Sequence, residues 1–298
     1  MLMPQNFSNR FSVCRCSEKT KSVKLVENDS IDFFEMNSTA VITGASSGIG
    51  KEFAVQLAAR GYDLLLVARR EHLLANLKTE IEAKYGVAVE TVICDLADPA
   101  QVRKLEERLE RIENLEYMVN NAGFGQEGTY PDVDPDRETA MIQVHVTALV
   151  RLARAALVPM CRRKKGFLIN LASVVSFLHG TNCAQYMATK AYVLSFSKSI
   201  SCDVAPHGVR VQALCPGLTH TGFHDSATMK SSVKKIAPSI AWLNAEYVVR
   251  CSLKALRSRW HRVVCIPSFR YKLVLLLLCN PLGVWFTEAI YAYRSQKK

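Results

Sequence analysis

Short apolar runs with abrupt polar or glycine ends recur along this chain, and helically spaced apolar positions fill the intervals between them. The first run, Thr39-Ala40-Val41-Ile42-Thr43, predicts a buried strand that stops at Gly44. Gly48-Ile49-Gly50 then opens a helical pattern with apolar positions at Phe53, Val55, Leu57 and Ala58, and Gly61 is placed to end it. A second strand is expected over Asp63–Ala68, running out at Arg69-Arg70. Val87–Cys94 leads into Asp95-Leu96, Leu115–Val119 into Asn120-Asn121-Ala122-Gly123, and Gly166–Ala172 into Ser173. Each run ends in small or polar residues, as expected where strand C-termini line a ligand crevice.

Strand, glycine turn and helix in that order form the context in which a dinucleotide pyrophosphate sits on a helix N-terminus. Thr43, Gly44, Ser46, Ser47, Gly48, Ile49 and Gly50 are the candidate contacts, spaced T-G-x-x-x-G-x-G rather than G-x-G-x-x-G. A plain glycine turn is the alternative. In such folds the residue after the second strand meets the adenosine ribose, where an acid suits NAD and an arginine accommodates the 2′-phosphate of NADP. Arg69 stands there, with Ser46 and Arg70 in support, which points to NADPH/NADP+. The alternative, two arginines solvating a helix start, places unpartnered cations where the helix dipole disfavours them. Far downstream, Tyr186 and Lys190 have helical i, i+4 spacing, so one helix face carries both and one ribose can touch both. By itself such a pair is equally a surface tyrosine packed on a lysine stem; the glycine loop upstream supplies the specificity.

Four motifs in sequence order, the Thr43–Gly50 loop, Asn120-Asn121-Ala122-Gly123, Ser173 with Tyr186 and Lys190, and Cys215-Pro216-Gly217, make the chain resemble the short-chain dehydrogenase/reductases over about residues 38–268. The resemblance implies an α/β fold, one doubly wound domain with a parallel sheet of Rossmann type. It further implies that Asp95 and Leu96 hold the adenine, that Asn121, Ala122 and Gly123 stabilise the central sheet and border the cofactor, and that Pro216, Gly217, Thr219 and Thr221 flank the nicotinamide. One position departs. Many members carry a catalytic asparagine in the long helix before the serine strand, and the aligned residue in Met141-Ile142-Gln143-Val144-His145-Val146 is His145. In the family that position props a water beside the lysine, largely through its backbone carbonyl, so a histidine keeps the carbonyl and changes the side chain. A benign substitution, a weakened proton relay and a new role in binding or proton transfer all remain open.

Reducing a ketone requires a hydride on carbon and a proton on oxygen. Ser173 fits polarisation of the carbonyl and Tyr186 fits proton donation. A phenol ordinarily has a pKa of about 10. A cation at Lys190, together with an oxidised nicotinamide, is expected to lower it while the lysine also binds the ribose hydroxyls. Without Tyr186 and Lys190, a serine at a strand end reads as an ordinary cap or turn residue. His179, His207, His220 and His224 lack metal-ligand spacing with acids or cysteines, so no metal is expected. His220 and His224 follow Pro216-Gly217 and fit a substrate rim as well as solvent.

The 298 residues with 49% apolar content suffice for one substantial core, and no period of about 20–50 residues marks a repeat array. Ten scattered cysteines without a framework spacing suit reduced thiols and a cytoplasmic setting. Residues 1–36 are polar without a secretory hydrophobic region, and a disordered or over-extended start is expected. Their basic and serine content has some transit-peptide character, which five acidic residues weaken. Residues 37–268 then form the catalytic domain and 269–298 a basic, apolar C-terminal extension of helical type.

The formal charge of +11 is uneven: residues 230–298 hold 13 Lys/Arg against 2 Asp/Glu, and the rest of the chain balances. The tail also carries Leu273–Leu278 and Leu282–Phe286, interrupted by Asn280-Pro281. Such a surface suits a peripheral membrane contact, an acidic carrier protein or a phosphorylated acyl ester. A helical cap over the substrate pocket or a homo-oligomer contact with solvated charges fits equally. Positive charge alone is no nucleic-acid motif, so no nucleic acid is expected. The expected function is NADPH-dependent reduction of a ketone on a lipophilic substrate, a 3-oxoacyl thioester or a sterol-like ketone. An NADP-dependent dehydrogenase acting oxidatively and a non-catalytic NADPH-binding sensor or scaffold are the alternatives.

Overall fold

The computed structural model describes residues 37–225 and 239–280, with Gly283. The expectations for residues 1–36 and for 281–282 and 284–298 lie outside the described residues. Strands β1 (Thr39–Thr43), β2 (Asp63–Ala68), β3 (Val89–Ile93), β4 (Leu115–Asn120), β5 (Gly166–Leu171), β6 (Val209–Leu214) and β9 (Val264–Cys265) form one sheet in the order β3-β2-β1-β4-β5-β6-β9. Every pairing in it is parallel. The expected doubly wound arrangement is therefore present, and the direction of winding reverses between β1 and β4, where such sheets open a crevice.

Parallel strands covered on both faces need apolar residues at every position. Alternate residues accordingly serve opposite layers. Ala40, Ile42, Leu64, Leu66, Tyr117 and Val119 join one core with helices α1 (Gly48–Ala58), α2 (Glu71–Tyr85) and α7 (Ala245–Arg257). Val41, Leu65, Val67 and Met118 face the other, with α3 (Pro99–Glu110), α5 (Leu149–Arg162) and α6 (Ala184–Val204). Predicted strand limits hold within one or two residues. The third strand starts later than expected because Gly86, at φ 68, caps α2 and Val87-Ala88 form the turn into β3. Not anticipated were a small parallel pair, β7 (Thr219–His220) with β8 (Leu243–Asn244), and a π-helical stretch at Gln143–Ala148 joining α4 (Pro135–Ile142) to α5. Among the described residues, Pro135–Arg162 is the one helix long and apolar enough to cross a membrane. Half of its apolar window is buried, however, and α5 lines the core described above.

The strand N-termini, at the end of the sheet away from the crevice, carry a polar knot in which Tyr62, Glu116 and Tyr117 are buried and the cations Lys165 and Arg257 are exposed. Tyr62 Oη donates to Glu116 Oε1 at 2.8 Å, and Lys165 Nζ pairs with Glu116 Oε2 at 2.7 Å. Arg257 of α7 donates to Tyr62 Oη at 2.7 Å and to Tyr117 Oη at 2.9 Å. Burial raises the Glu116 pKa, but hydrogen bonds from Lys165, Ser38 and Tyr62 outweigh it and hold the carboxyl below its ordinary value. A carboxyl depressed on folding contributes stability above its unfolded pKa and loses it as pH falls through the folded one. Glu116→Gln should therefore lower stability near neutrality by on the order of 1–3 kcal/mol. In thermal unfolding followed across pH, its deficit against wild type should shrink toward acid. A deficit independent of pH would assign the effect to packing instead.

Candidate active site

The crevice end of the sheet is tied together by backbone and side-chain hydrogen bonds. Thr43, closing β1, donates its hydroxyl to Val119 O at 3.3 Å and accepts from Asn121 N at 3.0 Å and Ala122 N at 3.1 Å. Asn121 Nδ2 returns to Thr43 O at 2.9 Å and Gly44 O at 3.2 Å. Thr43, Gly44, Asn121 and Ala122 are thus one assembly. Ser47, Gly48, Ile49 and Gly50 lead into α1, whose first turn carries no acid. Thr221 packs against Gly48, where a Cβ would come within 3.0 Å of it, so the segment after β6 folds back over the glycine loop.

The two arginines expected at the adenosine ribose make different contacts within the protein. Arg69 forms an exposed ion pair with Asp95 at 3.6 Å. Arg70 is the residue that reaches the glycine loop, donating to Ser46 Oγ at 2.8 Å and Ser47 Oγ at 2.7 Å. Asp95 in turn accepts from Ala97 N at 3.0 Å, which shapes the turn that carries Leu96 at the end of β3.

Ser173 follows β5 in extended backbone and caps a 3-10 turn, Val174–Phe177, accepting from Val175 N at 3.3 Å. Val174 N donates to Pro216 O at 3.0 Å, which fixes the serine turn beside the Pro216-Gly217 loop. Tyr186 and Lys190 both lie on α6, as their spacing predicts. Lys190 Nζ lies 5.8 Å from the centre of the Tyr186 ring and donates to Leu171 O at 2.8 Å. Burial pushes the Tyr186 phenol up to about 12, with the Ser173 hydrogen bond opposing it, and pushes Lys190 down to about 8. The expected lowering of the phenol was tied to Lys190 together with an oxidised nicotinamide; among the protein's own groups, burial has the larger effect. Taking either ion from water costs more than their spacing returns, so both groups shift toward their neutral forms.

His145 lies fully inside, on the π-helical stretch. Its Nε2 accepts from Phe124 N at 3.0 Å, its Nδ1 meets Thr189 Oγ1 at 3.0 Å, and its ring stands edge-on to Tyr186 at 5.9 Å. The Tyr186 ring also meets Phe223 at 5.8 Å. His220 stacks on Trp242 at 5.0 Å, which places it on the β7–β8 side of the site; the side chain of His224 is outside the described residues. Among the described residues, no group of three potential metal ligands exists.

Tyr271, which the sequence reading did not single out, belongs to this region. It sits on α8 (Phe269–Leu278), accepts from Leu218 N at 2.9 Å and donates to Ala241 O at 2.9 Å. Its ring lies so close on Gly217 that a Cβ there would come within 2.0 Å of it. The C-terminal extension therefore holds the Pro216–Thr221 segment in place. The glycine after Pro216 was visible in the sequence, but nothing local announced which distant aromatic covers it.

Comparison with known proteins agrees with this geometry. The short chain dehydrogenase family matches residues 38–231. A very-long-chain 3-oxoacyl-CoA reductase of Pyrenophora tritici-repentis is 35% identical over 191 residues, which is 61% of this chain and 55% of that protein. One from Phaeosphaeria nodorum is 31% identical over 242 residues, 78% of this chain and 67% of its own length. Thus the match spans about half to two thirds of these relatives. Among solved structures, a short-chain dehydrogenase from Sphingobium yanoikuyae in complex with NADPH superposes with a TM-score of 0.73 at 30% identity, covering 87% of this chain and 94% of that one. The matched stretch runs from the residue before β1 to beyond Tyr186, Lys190 and the Pro216–Thr221 segment, and the chain belongs to the short-chain dehydrogenase family.

Proposed function

We propose that the protein is an NADPH-dependent reductase of a ketone carried on a lipophilic substrate, a 3-oxoacyl thioester being the first candidate. The observation that carries this reading is the juxtaposition of Ser173, the protonated Tyr186 phenol and Lys190 beyond the ends of β5 and β6. The glycine loop supports a bound dinucleotide, because bare backbone at the start of α1 offers N–H donors to a pyrophosphate. Arg70 between the Ser46 and Ser47 hydroxyls supplies the cation and donors that a 2′-phosphate requires, and Arg69 lies alongside. When bound, the cofactor supplies hydride to the carbonyl carbon. The chain's own residues manage the oxygen. Ser173 donates a hydrogen bond to it, and Tyr186 gives up its proton as negative charge develops. Lys190, charged below about pH 8, then stabilises the phenolate left behind. Burial keeps the Tyr186 phenol protonated at neutral pH, so its proton is present when a carbonyl oxygen comes within reach. The names of the fungal relatives support an acyl substrate.

A peripheral contact with an anionic bilayer is a further part of this reading. On α8, Phe269, Leu276 and Leu277 are 76%, 69% and 60% exposed, with Arg270 and Lys272 beside them. An apolar face flanked by cations binds interfaces by burial and by attraction to acidic lipids.

These roles can be tested separately. Tyr186→Phe should reduce kcat for 3-oxoacyl reduction by at least about 10²-fold, with NADPH affinity by fluorescence titration changed little. The wild-type rate should decline as pH rises through about 8 and Lys190 loses its charge, and a Phe variant retaining most activity would remove Tyr186 as the donor. Arg70→Glu should weaken NADPH by on the order of 10²-fold while leaving NADH nearly unchanged, as measured by dissociation constants; equal weakening of both would assign Arg70 to loop structure alone. Because Tyr271 ties α8 to the site, membrane contact is best tested by surface substitution instead of truncation. Leu276→Glu with Leu277→Glu should reduce flotation with phosphatidylserine liposomes while preserving turnover, whereas flotation equal to wild type would exclude this face.

A further inference from the structure

Hydrogen-bond polarity fixes the state of His145. Its Nε2 receives the Phe124 N–H, so that nitrogen bears no proton. A neutral imidazole has one N–H, which must then be on Nδ1, pointing at Thr189 Oγ1. Thr189 can accept it because its own hydroxyl proton is already directed to Tyr186 O at 2.9 Å. The result is a one-way chain from the loop after β4, through the ring, to the backbone carbonyl of Tyr186. Every member is satisfied. Protonating Nε2 would set two N–H groups against each other at Phe124, at a residue only 1% exposed. The ionisable side chains near it on the packed elements are Lys190 and Tyr186 of α6 and Arg137 of α4, whose guanidinium lies 5.0 Å from the Phe124 ring. Among the described residues, no carboxylate figures among the influences on the ring. Burial, and then the Lys190 charge, hold the ring's pKa well below its ordinary value. The ring also lies over Gly123, where a Cβ would come within 2.8 Å of Nε2, so the loop approaches closely enough to be gripped.

We infer that His145 is a positioning residue, a permanently neutral strut in the Nδ1–H tautomer that sets the Tyr186 turn of α6 against the Asn121–Phe124 loop. This rests on the reading of Tyr186 as proton donor. The strut matters because the two ends it joins carry different partners of one reaction: the loop borders the proposed cofactor crevice, and the turn carries the phenol. Its location on a π-helical stretch is the local device that makes it possible. The extra residue per turn rotates His145 inward between loop and helix without ending the 28-residue helix around it.

The first test needs no catalysis. In protein labelled with ¹⁵N-histidine, the signal lost in His145→Asn identifies the ring, which should show a protonated Nδ1 and bare Nε2, unchanged from about pH 5.5 to about pH 8.5. Titration within that range, or the opposite tautomer, would overturn the strut. Kinetics test the positioning. An asparagine amide can replace only the bond made at Nδ1 and a glutamine amide only the one at Nε2. Both variants, and Thr189→Val at the other end, should lower kcat on the order of 10- to 100-fold. NADPH affinity should stay within about threefold, and the alkaline limb of the kcat profile should shift. His145→Asn combined with Thr189→Val should be less than additive, as expected for members of one network. Unchanged kcat in all three single variants would reduce His145 to core packing. A wild-type kcat limb that disappears in His145→Asn would instead make it a proton-transfer group. If wild type reduces no ketone, the functional reading fails while the tautomer still decides the strut.

Discussion

One buried hydroxyl organises the crevice. Thr43 Oγ1 uses its single proton on Val119 O and both lone pairs on the Asn121 and Ala122 amides, so the ends of β1 and β4 are joined at the point where the sheet's winding reverses. The two strands continue in opposite directions from there, β1 into the glycine loop and β4 into the Asn121–Phe124 loop. A crevice between diverging chains needs a fastening at its root, since any slip would alter the width available to a ligand. Thr43 is 1% exposed, and a side chain without a hydroxyl would remove the acceptor that two part-buried amides share. The further contacts of the site, from Arg70 on the loop serines to His145 on Phe124, are built on these two loops and inherit their spacing.

Electrostatics in the site follow from burial more than from pairing. Lys190 donates a hydrogen bond to Leu171 O and stands 5.8 Å from the centre of the Tyr186 ring. Burial moves the phenol up and the lysine down to about 8, so near neutrality the phenol is protonated and the lysine still mostly charged, with that charge sensitive to whatever anion or hydroxyl comes beside it. The polar knot at the opposite end of the sheet shows the contrasting case. Glu116 there keeps its charge because Lys165 and Tyr62 both address it directly. The same fold therefore holds a carboxylate kept charged by direct partners at one end of the sheet and, at the other, a buried phenol and lysine both displaced by burial.

Most of the architecture was legible because parallel strands buried on both faces write continuous apolar runs, and these runs end where the chain turns. Thr39–Thr43 and Asp63–Ala68 are visible for that reason. The pairing of Tyr186 with Lys190 on one helix was equally plain from spacing. Side-chain direction was not legible. Adjacent arginines after β2 cannot be told apart by position; Arg70, at the cap of α2, reaches the loop and Arg69 pairs with Asp95. The π-helical stretch was hidden as well, since Gln143–Ala148 reads as ordinary helix in its apolar spacing.

Tyr271 shows why the C-terminal extension cannot be reduced to either reading that its composition allows. Its hydroxyl bridges Leu218 N and Ala241 O, and its ring lies directly on Gly217, so α8 is packed on the Pro216–Thr221 segment. The same helix buries only Leu275 among its aliphatic residues and turns Leu273, Val274, Leu276 and Leu277 outward. Those two properties sit on opposite faces of one short helix. Anything that engages the outer face therefore presses on an element whose inner face fixes the Pro216–Thr221 segment, and a lipophilic substrate arriving at that surface would meet the site through the helix that shapes it.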